Sequence, residues 1–174
     1  MFDLALLILR IVVGAYLFAH GAQKLFGWFG GGGLAGTTAM TGALRFRPAR
    51  AWAVIAGLSE ATGAMLVLGF LTPLAAASTA SAMLTATFSA HLRKGWFNTK
   101  GGPELPITNL AVVAAVALLG PGRISLDYVL GFSFPEPVTV VVLAVLVVVG
   151  VAGAFALRRA EERTEAEGTK AQTA

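Results

Sequence analysis

The first apolar run, LALLILRIVVGAYLFAHGAQKLF at 4–26, leaves the chain few folds to choose from. It is long enough to cross a bilayer, for which about 20 apolar residues suffice, yet it carries Arg10, His20, Gln23 and Lys24. Groups of this kind are costly in lipid and face a bundle interior or a cavity. At roughly 100° per residue, Arg10, Gly14, Leu17, Gly21, Lys24 and Trp28 share one helical stripe with His20 on its flank. The spacing predicts a helix with one greasy face and one polar, glycine-notched face, and function is expected on the second.

The remaining apolar runs extend this to an all-α integral membrane bundle. Only 13% of residues are charged, against about 25% in a soluble domain, and the charges collect between the runs. Spans are expected at about 4–26, 51–71, 73–92 and 105–119, with a fifth inside 128–157 after a loop. A charged tail, expected to be mobile, follows at 158–174. Residues 1–127 would form a four-helix core. A cleaved signal peptide fits poorly, because Met1 to Asp3 give no basic stretch and Arg10 interrupts the run. Glycines 30–33 break the first helix, and a short interfacial helix is expected at 34–44. A phosphate cradle is disfavoured there, since no GK[ST] follows and no strand precedes. Serines and threonines along 78–89 read as structural hydroxyls.

Basic residues orient the bundle. Arg45, Arg47 and Arg50, then Arg93, Lys94 and Lys100, and the basic residues of the tail all fall on one side, against Arg123 on the other. The positive-inside rule puts the first side in the cytoplasm and the N-terminus outside, in the plasma membrane. This topology accounts for the net charge of +4 without nucleic acid as a partner. Cysteine is absent, which removes thiolate catalysis and iron–sulfur ligation.

Helical rise then suggests which polar groups meet. On a bilayer of about 30 Å, Glu60 lies near the middle of its span with Arg10 only a side-chain length away, so Glu60 is expected to bridge Arg10 and His20. Lys24, His91 and Glu104 are expected lower, at the cytoplasmic interface, where Lys24 can snorkel. Glu104 also suits a helix start as a capping residue. In the structural alternative, Arg10 and Glu60 form an ion pair that only holds spans together. A haem on His20 and His91 fits poorly because their depths differ by a helix turn or more.

Taken together, HGAQKLFGWFGGGGLAGT at 20–37, Glu60, HLRKGWF at 91–97, GGPELP at 101–106 and GPGRISLD at 120–127 resemble the DoxX family of small bacterial membrane proteins. The resemblance spans 4–127 and implies a four-helix membrane bundle related to the membrane subunit of an archaeal thiosulfate:quinone oxidoreductase. It implicates His20, Gly21, Lys24, Phe26, Glu60, His91, Glu104 and Asp127, the last in a structural role. The fifth span and tail depart from that pattern, as do Pro103 and Leu105, which flank Glu104 where aromatic residues are expected.

The function expected is that of a quinone-interacting or accessory subunit of a membrane oxidoreductase system, with no covalently bound cofactor and no metal. His20, Glu60 and His91 would handle protons, and Arg10 and Lys24 would stabilise a quinone-derived anion. Trp28, Phe29, Trp96 and Phe97 would line the entry beside Gly21, Phe26 and Glu104. Expected partners are the lipid bilayer, a membrane or soluble redox protein, and further copies of the chain. A non-catalytic scaffold or small-molecule carrier is the alternative. A proton-coupled transporter is less favoured, since no inverted repeat is evident.

Overall fold

The computed structural model describes the backbone of residues 1–172 and the side chains of residues 1–164. It is helical throughout, with no strand among the described residues. The helices are α1 Phe2–Phe26, α2 Gly33–Ala43, α3 Ala49–Ala61, α4 Gly63–Leu68, α5 Thr72–Ala86, α6 Glu104–Leu119, α7 Leu126–Val129 and α8 Val138–Gln172. Three stretches are long and apolar enough to cross a membrane: Phe2–Phe26, Ala49–Leu68 and Val138–Thr164. The third expected span is α5 continued by a π-helical turn, Thr87–His91, and the fourth is the shorter α6.

Local sequence explains the breaks. The first helix ends at Gly27, whose φ of 75° is left-handed and whose N–H bonds the Gln23 carbonyl at 3.2 Å. The short α2 then packs on both α1 and α3. Its Thr37 hydroxyl lies 2.9 Å from the Lys24 carbonyl, and its Thr41 hydroxyl donates to the Ala49 carbonyl at 2.7 Å. The Lys24 carbonyl, in the last turn of α1, lies where no intrahelical donor follows, so α2 supplies one that lipid could not. Pro73 sits in the first turn of α5, where no N–H is needed.

The core is a four-helix packing of α1, the α3–α4 pair, α5 and α6. Val13, Leu17, Leu66, Ala75, Ala76, Met83, Val113 and Val116 meet at its centre. Water is absent on both sides of such contacts, so close packing of small residues is what favours association. A Cβ on Gly14 would stand 2.6 Å from the Gly63 carbonyl oxygen, and one on Gly21 would stand 2.5 Å from the Ala61 nitrogen. The glycine notches therefore let α1 lie antiparallel against α3 and α4, and they lock its register there.

The last helix stands outside this core. It packs chiefly on α5, and most of its valines remain exposed to the surroundings. A charged tail was expected to leave the helix at Arg158, but α8 continues through it to Gln172. Helix-favouring Ala, Glu and Arg dominate that stretch, so the apolar span and its charged extension form one rod. Residues 173 and 174 of the expected tail lie outside the described residues.

Candidate functional site

The two cations of α1 end up in different surroundings, because the glycine register and the sequence-based depths disagree. With Gly14 against Gly63 and Gly21 against Ala61, Glu60 is level with His20 and Gly21. Arg10 is then about 15 Å further along α1, at 1.5 Å per residue. Arg10 and Glu60 do not meet.

Arg10 instead enters a knot at the end of the bundle where α1 begins. It is fully buried, and its Nη2 donates to the Ile124 carbonyl. Asp127, also fully buried, supplies the opposing charge. The Asp127 carboxylate accepts from the backbone N–H groups of Leu71 at 2.7 Å and Thr72 at 2.9 Å, and its own N–H donates to the Gly69 carbonyl at 2.8 Å. Asp127, in the first turn of α7, thus satisfies the N-terminus of α5 from far along the chain. Asp3 fastens the loop before α7 to α1 by accepting from the Arg123 N–H at 2.8 Å. Within the knot the Nε and Nη1 of Arg10 and the hydroxyl of Thr72 have no hydrogen-bond partner.

At the other end, Lys24 reaches back along α1 and forms an ion pair with Oε1 of Glu60. The Glu60 side chain is 5% exposed and that of Lys24 23%. Burial of a charge within a membrane bundle demands such a partner. Oε2 of Glu60 is buried with no partner of its own. Both residues line a cavity of about 370 Å³ enclosed by α2, α3, α5 and α8. Its walls include Phe46, Trp52, Ile55, Ser78, Ser81, Thr85, Ser89, Gly150 and Ala154. The hydroxyls of Ser81 and Ser89 bond back to the carbonyls of Ala77 at 2.9 Å and Thr85 at 2.6 Å, so they soften the wall without projecting free donors.

The other expected site residues are spread around this centre. His20 is half-buried, stacks on Tyr16 with ring centroids 4.4 Å apart, and lies within electrostatic reach of Glu60 and Lys24, but it does not line the cavity. Gly21 serves the helix contact described above. Phe26, Trp28 and Phe29 form an exposed aromatic cluster at the end of α1, with centroids 5.3 and 6.4 Å apart. Trp96 and Phe97 are exposed on the loop before α6. None of these five aromatics lines the cavity; Phe46 and Trp52 do.

His91 and Glu104 close that loop and do not join Lys24. The Nδ1 of His91 lies 2.7 Å from the Gly101 carbonyl oxygen, and the Glu104 carboxylate accepts from the Asn98 N–H at 2.8 Å. Glu104 thus does not cap α6, although its position suggested it; its carboxylate takes one backbone N–H of the preceding loop. No cluster of three or more metal-ligating side chains occurs among the described residues.

Sequence reasoning passed over Phe46, Trp52, Gly150 and Ala154. The signals were present but faint: a tryptophan early in an apolar span, and a glycine inside a valine-rich one.

Chemically, the pair presents complementary groups to the cavity. Lys24 carries three N–H donors and spends one on Glu60, while Oε2 of Glu60 is an acceptor without a partner, buried just behind the wall. An apolar ligand bearing a carbonyl and a hydroxyl would find one partner for each.

A family model described as DoxX matches residues 5–92. No curated protein and no solved structure matches the chain.

Proposed function

Since the chain belongs to the DoxX family of membrane proteins, we propose that it binds a quinone or a similar amphipathic isoprenoid at the Lys24–Glu60 pair as part of a membrane oxidoreductase system. One observation carries this reading: Glu60, which lines a largely apolar cavity, keeps a buried Oε2 with no hydrogen-bond partner. The cavity lies within the range of about 300 to 1,000 Å³ typical of small-molecule sites, toward its lower end. It suits a headgroup whose tail stays in the bilayer.

The residues fit such a ligand. Lys24 donates to a carbonyl oxygen and Glu60 accepts from a hydroxyl, so the two orient the ring. Glu60 is also placed to take or return a proton, and His20, one turn from Lys24 on α1, is the next group able to pass it on. The quinone would supply the two-electron redox chemistry. Reducing equivalents would come from a membrane or soluble partner.

The protein is assigned to the plasma membrane with its basic loops in the cytoplasm. The guanidinium of Arg158 sits 5.5 Å over the Phe46 ring, and Arg45 approaches Glu162 at 3.8 Å. These contacts support a common side for the first basic loop and the end of α8.

Binding of a quinone analogue to the purified protein tests the reading. Saturable binding that is lost in Glu60→Gln supports it. A protein that binds no analogue, yet copurifies in mild detergent with a stoichiometric partner, is the accessory scaffold instead.

A further inference from the structure

Helix glycines in this protein serve two purposes. Those at 14 and 21 allow contact, since a Cβ on either would run into the facing backbone. Gly150 does not fit that pattern. It lies in the interior of α8, where glycine is destabilising relative to alanine, and a Cβ there would meet nothing within 4 Å. It nevertheless lines the cavity that contains Lys24 and Glu60, across from Ser78 and Ser81 of α5. What the missing side chain provides is open volume.

The rest of α8 explains why that volume matters. At the end of the cavity near Phe46, which is 3% exposed, Phe155 packs at 5.8 Å from Phe46 and Phe88 at 6.5 Å from Phe155. Arg158 caps these rings at 5.5 and 5.9 Å from their centroids and bonds Glu162 at 3.4 Å. This aromatic clasp closes the end beside the basic loop, and α5 packs directly on α8, so the apolar side between α3 and α8 remains for entry. The cavity's charged floor and small-residue wall lie inside membrane-spanning helices.

We infer that Gly150 is the specificity-determining position of the site: by leaving the α8 wall empty it admits a flat, membrane-dissolved ring to Glu60. The inference rests on the quinone reading above and adds to it the position that selects the ligand. Gly150 also lies beyond residues 5–92, which match the family, so the selecting wall is built by a helix outside the matched segment.

Gly153 supplies an internal control. It too has nothing within 4 Å of a Cβ, but it does not line the cavity.

The test uses the full chain in mild detergent with Trp28→Phe and Trp96→Phe, which leaves the cavity-lining Trp52 as the sole tryptophan. A decyl-substituted benzoquinone is titrated and Trp52 quenching is followed. Affinity should fall in the order Gly150→Ala, Gly150→Val, Gly150→Leu, the last by about tenfold or more, as expected of a steric change in an apolar pocket. Gly153→Leu should bind as the parent does, and the Gly150 and Gly153 variants should unfold at similar temperatures. Parent-like binding by Gly150→Leu, with binding still lost in Glu60→Gln, overturns the inference and leaves the quinone reading standing. A parent protein that shows no saturable quenching overturns both.

Discussion

Each half of α1 carries a cation into the bundle, and the two halves use it in opposite ways. Arg10 is enclosed by backbone: a loop carbonyl, the turn at Gly69 and the capped start of α5 surround it, and both oxygens of its counter-charge Asp127 are engaged by N–H groups. Lys24 meets a carboxylate directly, stays partly exposed, and leaves one carboxylate oxygen without a partner on a residue that lines a cavity. The first arrangement ties three segments together through their backbones. The second ties two helices and keeps a partly exposed donor and an unpartnered acceptor on residues that line a cavity. A buried charge signals chemistry when it borders free space, and signals architecture when the backbone fills its surroundings.

The comparison can be broken at several points. Asp127→Ala should have the largest effect, about 3–5 kcal/mol of lost stability, because it strands a buried arginine and two backbone donors. Unfolding in a denaturing detergent titration measures this, and a loss under about 1 kcal/mol would deny the knot its structural role. Gly21→Ala should follow at about 1–3 kcal/mol, since the added Cβ presses on the α3 backbone. It should also lower quinone affinity, by shifting Lys24 away from Glu60.

Glu60→Gln sharpens the contrast from the cavity side. Stability should fall by only about 1 kcal/mol, because the freed lysine can snorkel outward, while saturable quinone binding is lost. A reversed result, with large unfolding and intact binding, would make this pair a second knot. Thr72→Val should be the mildest. The hydroxyl it removes is buried and unpartnered, so stability should stay within about 0.5 kcal/mol of the parent or rise.

Much of the bundle was legible before any coordinates. The stripe on α1 correctly placed Arg10, Gly14, Leu17 and Gly21 on a buried face, and Glu60 does point inward. What failed was the ruler. Depths counted from span ends assume that every helix fills the same slab, whereas α1 runs for 25 residues and α3 with α4 for 20. The relative slide of the helices is set by glycine contacts, and these put Arg10 and Glu60 far apart. The glycines were visible in the sequence, but which glycine faced which was not.

Aromatic residues taught a similar lesson. Trp28, Phe29, Trp96 and Phe97 stand near the ends of spans, as an entry lining would, yet they are exposed. Trp52 and Phe46 line the cavity because α2 folds back onto α1 and α3, a placement with no periodic signature.

By itself the sequence determined that this chain is a helical membrane bundle with one polar face, since apolar length and intramembrane charge permit little else. Only the tertiary structure decided which charges pair and where volume is left. Those outcomes depend on the register of packed glycines and on α8 standing off the core. Both are contacts between distant segments, and local pattern carries no record of them.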